Sequence, residues 1–331
     1  MKLKMVGTSL AIVAGIAAAG TFATPIPASA TETIRAVTFA PPSRNDLSMV
    51  IFREYIKRVN TAGKGIVKID HIGGPEAVPL RDQVNAVGKG IADMVMTFTV
   101  HAALVPEVGT LGQSRIGIEE ERKNGYVALL DDAHKKINIK FIGRAATNGG
   151  FYIFSKKAIT DLADFKGMKI RSHSGYDPVF NALGATPVHM KISEIYTGLE
   201  RGLVQAAPYP LFVSGLGLHK VIGYAMADSF WTAHTTMVLM NRKKFDGLPQ
   251  AAKDVIINTQ IALEKEMWKT AQALKDKERA KLETSGVKFI SLAPAKAKAW
   301  IALTNDARWA VHKKKLSADA YNKIKSLIGG K

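Results

Sequence analysis

The run Asp164-Phe165-Lys166-Gly167-Met168-Lys169-Ile170-Arg171 reads as a turn, a short apolar strand, and an arginine at the strand's C-terminal end. In an α/β sheet that end faces the crevice where ligands bind. A guanidinium is a fixed cation with a planar fork of donors, which suits a carboxylate better than any other side chain does. His173 and Ser174 follow in a loop that can bring a donor to the same place. Tyr209 is held between Pro208 and Pro210, whose rings fix the backbone around it. Thr97 ends a strand and offers a hydroxyl. Glu76 follows a glycine turn, where it either accepts a hydrogen bond from a ligand hydroxyl or caps the helix after it. Phe39, Phe98, Phe151 and Phe212 sit at or near strand ends, and Trp231 and His234 precede a late strand. Together these residues point to capture of a small organic anion.

Motifs for catalysis are missing. The chain has no His-Glu-x-x-His, no Gly-x-Ser-x-Gly and no phosphate-cradling Gly-x-x-x-x-Gly-Lys-Ser/Thr. Its eight histidines are scattered with no i, i+4 pair. Cysteine is absent, which excludes disulfides and thiolate metal sites. No cofactor or metal is expected. A secreted α/β enzyme acting on a small anion is the alternative, separable by a turnover assay.

The first thirty residues carry Lys2 and Lys4, an apolar run from Val6 to Ala19, and Ala28-Ser29-Ala30. This is the pattern of an export signal, with cleavage expected after Ala30 and a periplasmic destination. The remaining ~300 residues suffice for two domains. A hydrophobic content of 47% against 22% charged residues indicates a folded chain rather than a disordered one. The formal charge of +18 fits attraction of anions. No nucleic-acid partner is expected of an exported chain, and the Lys-rich stretches, such as Lys313-Lys314-Lys315, read as solvated helix faces.

The elements that must position these residues follow from periodicity. Strands are expected at 33–39, 66–72 and 92–98, with helices at 47–60 and 81–89 between them. This β-α-β-α-β order predicts a mostly parallel sheet with helices on its faces. A glutamate-bearing helix is expected near 119–135, then strands at 139–144 and 151–155 and the Arg171 strand. Helices follow at 177–183 and 192–202, with 203–207 ending against the prolines. After a strand at 235–241, Pro249 starts a helix to about Ser285, some 50 Å long, which can tie two domains together. Further helices lie between 296 and 328.

Several segments, in order, resemble the extracytoplasmic solute-binding proteins of tripartite ATP-independent periplasmic (TRAP) transporters, of the dicarboxylate-binding-protein type. They are Ile72-Gly73-Gly74-Pro75 with Gly88-Lys89-Gly90-Ile91-Ala92-Asp93; Leu162 to Arg171; Leu183-Gly184-Ala185-Thr186-Pro187 with Ser193 to Leu199 and Gly202-Leu203-Val204; and His234 to Asn241 with Leu248-Pro249. The block from Leu162 to Pro210 is the most specific. The resemblance implies a two-lobed α/β fold with one long shared helix, the lobes closing on a ligand between them. Lobe I would comprise 31–148 with 235–275, and lobe II 149–234 with 276–331. It implies that Arg171 pairs with the ligand's carboxylate, that a membrane permease is the partner, and that the protein is a monomer. A receptor-presenting sensor subunit is a third reading.

The chain also departs from that pattern. Relatives that bind sugar acids often carry a second arginine about twenty residues before the first, and here that place falls on Gly150 or Phe151. Where many relatives read Asp-Gly-Gln-Glu-Asn-Pro, this chain has Gln205-Ala206-Ala207-Pro208-Tyr209-Pro210, so Tyr209 replaces a ligand-contacting asparagine. Ile192 replaces a nearby aromatic. Polar donors are lost and apolar surface is gained, which points to a monocarboxylate with an apolar or aromatic body.

Overall fold

The computed structural model describes Met1 and residues 31–147, 150–173, 175–229 and 235–329. The expected leader, Ser174, Trp231 and His234 lie outside the described residues. Two sheets organise the chain. The first uses β1 (Glu32–Thr38), β2 (Val67–Gly73), β3 (Met94–Thr97), β4 (Ile139–Thr147) and a late strand, Thr235–Asn241, in the order β2-β1-β3-late strand-β4. Helices α1 (Leu47–Ala62) and α2 (Gln83–Gly88) make the parallel crossovers. The late strand alone runs antiparallel to its neighbours.

The helix expected near 119–135 is two helices, α3 (Ile118–Lys123) and α4 (Tyr126–His134). They break at Asn124-Gly125, where Gly125 takes a φ of 92° and the Asn124 side chain accepts the Tyr126 N–H at 3.0 Å.

The second sheet contains β5 (Phe151–Ser155), β6 (Lys169–Ser172), β7 (Thr186–His189), β8 (Ala206–Pro210), β9 (Tyr224–Met226) and a short last strand, Lys288–Ile290, in the order last strand-β9-β5-β8-β6-β7. Helices α5 (Asp177–Ala182) and α6 (Ile195–Glu200) connect its middle. Counting onward, the late strand of the first sheet is β10 and the last strand of the second is β11. After β10 come α7 (Arg242–Gly247), α8 (Gln250–Thr284), α9 (Pro294–Lys315) and α10 (Ala318–Ile328).

Helix α8 has 35 residues, as its Ala-, Lys- and Glu-rich sequence leads one to expect. Its Ala252, Ile256, Leu263, Met267 and Ala271 join the core beneath the first sheet. Leu282 enters the core of the second. Glu278 accepts hydrogen bonds from the Ser214 N–H at 2.8 Å and its hydroxyl at 2.9 Å, a further tie to the second half.

The C-terminal segment touches both halves. Residues 276–331 were to accompany the second sheet. Trp300 of α9 does so, stacking on Phe165 with ring centroids 5.4 Å apart. Trp309, Ile324 and Ile328, however, pack in a core of the first half. Asn124 clamps the carbonyl of Leu327 at 2.9 Å. The amphipathic face of α10 needs an apolar partner, and α4 supplies it. Among the described residues, no helix is long and apolar enough to cross a membrane.

Candidate functional site

Arg171 is the third residue of β6, paired in parallel register with Val188 of β7. The turn before the strand is held by Asp161 and Asp164, which cap its 3-10 turn reciprocally. Gly167 follows at φ 73°, a conformation suited to glycine. Beyond the strand, Asp177 accepts the Ser172 hydroxyl at 2.6 Å and contacts His189 at 2.8 Å. The ends of β6 and β7 and the start of α5 are thereby pinned together.

The segment expected to end against the prolines continues through them, as β8 runs to Pro210. Its antiparallel ladder to β5 continues as far as Phe151 opposite Pro210. Its parallel ladder to β6 has a single rung, Ile170 opposite Ala206. A proline has no N–H to give to a ladder. Beyond that rung no further β6–β8 pairing is made, and the ends of these two neighbouring strands bear Arg171 and Tyr209.

Arg171 is 5% exposed. Its Nε donates to the carbonyl of Met190 at 3.1 Å, and its guanidinium is hydrogen-bonded to the Tyr176 side chain. Among the described residues no carboxylate lies within 4 Å of it. Burial pushes its pKa below the ordinary arginine value, and the Tyr176 and Tyr209 hydroxyls act in the opposite direction.

Arg144 makes the contrast. It is 3% exposed, and it pairs with Glu121 at 2.5 Å and donates to Thr235 at 2.9 Å and to the Leu111 carbonyl at 3.1 Å. Next to it Glu264 of α8 receives Arg122 and the backbone N–H of Arg144. Gly143 makes room for that network, since a methyl there would run into Glu264 and Arg122. Arg144 thus has a protein carboxylate and a structural task. A buried cation without one favours an anion from outside, because an uncompensated buried charge is costly.

Around Arg171 stands an aromatic wall. Tyr176 lies 5.7 Å from Phe151, ring centroid to ring centroid, and the His173 ring is 3.6 Å from Tyr176. Phe151 meets Tyr209 edge-on at 6.5 Å. Burial raises the Tyr176 phenol far above its ordinary value. Burial also raises that of Tyr209, against the pull of Arg44 and Arg171. Both hydroxyls therefore stay protonated at neutral pH and can donate.

The first half of the chain contributes the opposite side. Arg44 is hydrogen-bonded to the Tyr209 side chain, paired with Asp46 at 2.6 Å, and stacked over Phe39 at 5.6 Å. Phe39 in turn meets Phe98 edge-on at 5.6 Å.

The structure thus brings Arg171, Tyr209, Phe151, His173 and Phe39 into one cluster. Thr97 is fully buried at the end of β3, and its hydroxyl has no hydrogen-bond partner among the described residues. Phe212 crosses to pack against the core of the first sheet. Glu76 is exposed and accepts the Gly74 N–H at 2.7 Å, so it braces its own turn. Ile192 is 49% exposed and joins none of the cores. Two members of the cluster, Arg44 and Tyr176, were not singled out from sequence. Tyr176 stands five residues after Arg171 at the start of a Pro-containing helix, and Arg44 two residues before the capping Asp46.

Residues 51–314 match the family described as bacterial extracellular solute-binding protein, family 7 (DctP). The chain belongs to that family. It is similar to a monocarboxylate 2-oxoacid-binding periplasmic protein of Nostoc sp., 23% identical over 244 residues, 71% of this chain and 67% of that one. It has the fold of a TRAP periplasmic solute-binding protein from Ochrobactrum anthropi, with a TM-score of 0.79 at 16% identity over 90% of this chain and 95% of that one. A TRAP periplasmic solute-binding protein from Desulfovibrio salexigens with bound orotic acid gives 0.76 at 19% identity over 90% and 97%. The resemblance read from the sequence is borne out, and so is the two-lobed α/β architecture.

Proposed function

We propose that this family 7 protein captures a small organic acid between its two lobes in the periplasm and delivers it to a membrane-embedded TRAP permease. The observation that carries this reading is Arg171: a buried guanidinium at a strand end that bonds the Met190 carbonyl and, among the described residues, has no carboxylate beside it. The ligand's carboxylate takes the guanidinium fork, and the Tyr176 and Tyr209 hydroxyls add neutral donors. In a water-poor cleft such charge-assisted bonds gain strength.

Lobe I is 31–148 with 235–275 and the C-terminal helix. Lobe II is 149–234 with 276–293, and α9 packs against both, through Trp300 on lobe II and Trp309 on lobe I. Closure brings Arg44 of lobe I onto Tyr209 of lobe II, and the ligand favours the closed form by fitting it better. The ligand is a monocarboxylate with an apolar or aromatic body. Phe151, Tyr176, Tyr209, Phe39 and Phe98 supply flat apolar surface, and the Nostoc relative is named for monocarboxylate 2-oxoacids. The protein works as a monomer and as a receptor, leaving its ligand unchanged.

Mass spectrometry of the small molecule that co-purifies with the protein tests this. The expected result is an acid recovered intact after incubation, raising stability by about 2.7 kcal/mol at a hundredfold excess over Kd. Turnover of the acid, or tight binding of sugar acids only, contradicts it.

A further inference from the structure

A cavity of about 270 Å³ opens between segments from the two halves of the chain. Gln113 and Arg115 line it from the first half, and Asp228, Thr304, Asn305 and Arg308 from the second. Arg308 projects from α9 and is 5% exposed. Tyr176 feels the charge of both Arg171 and Arg308, so the cavity neighbours the cleft without sharing its arginine.

Gln113 is 1% exposed, and its amide nitrogen has no hydrogen-bond partner among the described residues. A buried donor left in that condition is costly, because it has lost its water and gained no partner. The charge on the walls says what would relieve it. Two guanidinium groups, Arg308 buried and Arg115 at the exposed rim, face one carboxylate, Asp228. The Oδ2 atom of Asp228 is already occupied by the Leu292 N–H at 2.9 Å. The net positive charge and the waiting amide favour an oxyanion over water. Burial, which disfavours the Arg308 cation, acts in the same direction.

We propose that this cavity is a second carboxylate-binding site, in which Arg308 and the Gln113 amide hold the anion and Arg115 closes the rim. It stands apart from the reading of Arg171. The carboxylate has two sources: a free small anion, as the monocarboxylate reading requires, or a second acid group on the captured ligand, which would overturn that reading of the ligand and leave this site standing.

The test is acetate titration of the full protein carrying Arg171→Ala, which silences the main site, followed by NMR through the side-chain amides of Gln113 and Asn305. The expected result is a saturable shift of the Gln113 amide. In the near-isosteric Gln113→Leu protein, read at Asn305, acetate affinity falls about tenfold, as expected for one lost bond to a charged group. Arg308→Gln abolishes the response. In the unsubstituted protein, the co-purifying acid at one equivalent distinguishes the sources. If it moves the Gln113 amide and acetate then adds nothing, the carboxylate is its own second group. If acetate still shifts Gln113 after the acid has saturated the protein, the anion is a separate one. Both results uphold the site. A Gln113 amide that stays fixed or drifts without saturation, or an acetate affinity unchanged by Gln113→Leu, overturns it. Failure of the Arg171 reading shows elsewhere, as undiminished acid binding in Arg171→Ala.

Discussion

Replacing Tyr209 with phenylalanine removes one hydroxyl and keeps the ring. That hydroxyl is bonded to Arg44 across the lobes and lies near Arg171. Half of the Arg44 side chain is in solvent, so its bond alone is worth about 1 kcal/mol or less. A bond from the same hydroxyl to a buried ligand carboxylate adds about 1 kcal/mol or more. The sum predicts a Kd raised by roughly 5- to 30-fold. The edge-on contact with Phe151 survives, so thermal stability without ligand moves little. Tyr209→Ala also loses the aromatic pair, about 0.5–1.5 kcal/mol more, and weakens binding further. Isothermal titration calorimetry with the co-purified acid measures both. An affinity within twofold of the original in Tyr209→Phe refutes the idea that this hydroxyl serves the acid or the closure.

Other expectations follow from the same geometry. Arg171→Lys keeps a charge but loses the fork, so calorimetry should find only a weak remnant of binding. Glu121→Gln leaves Arg144 buried without its anion and should cost about 3–5 kcal/mol in urea unfolding, with acid preference unchanged. Asp131 is half-buried, which raises its pKa, but the bonds and charges of Lys140, the Phe141 N–H and Arg242 prevail and hold it below the ordinary value. Its stabilising share is therefore full above the unfolded-state pKa and lost as pH falls through the lower folded one. Denaturation curves of Asp131→Asn should show a deficit at neutral pH that shrinks and then disappears as pH falls through the lowered folded-state value.

Much of this architecture was legible because periodicity and punctuation agreed. Asn241 ended a strand, Pro249 opened a helix of 35 residues, and Ile170-Arg171 placed a cation after an apolar strand. The errors have physical causes. Pro208 and Pro210 read as breakers because a proline ends a ladder, yet β8 needs its ladder only toward β5 there. Asn124-Gly125 interrupts a segment whose polar pattern suits one continuous helix. The short strands β7, β9 and β11 hold three or four residues each, too few for a period to show. Within the site, Arg171 had a strand to announce it. Arg44 and Tyr176 did not, because a loop residue's neighbours across a cleft are set by the fold of distant segments. Ile192 and Glu76 were named by residue type, and the chain leaves both exposed.

The central claim is that the guanidinium of Arg171 holds the acid. Calorimetric titration of Arg171→Ala with the co-purified acid, against the unsubstituted protein, addresses it most directly. Loss of one partner of a buried ion pair, about 3–5 kcal/mol, predicts affinity lower by roughly two to three and a half orders of magnitude with the fold intact. An unchanged Kd would place the acid elsewhere and contradict the account.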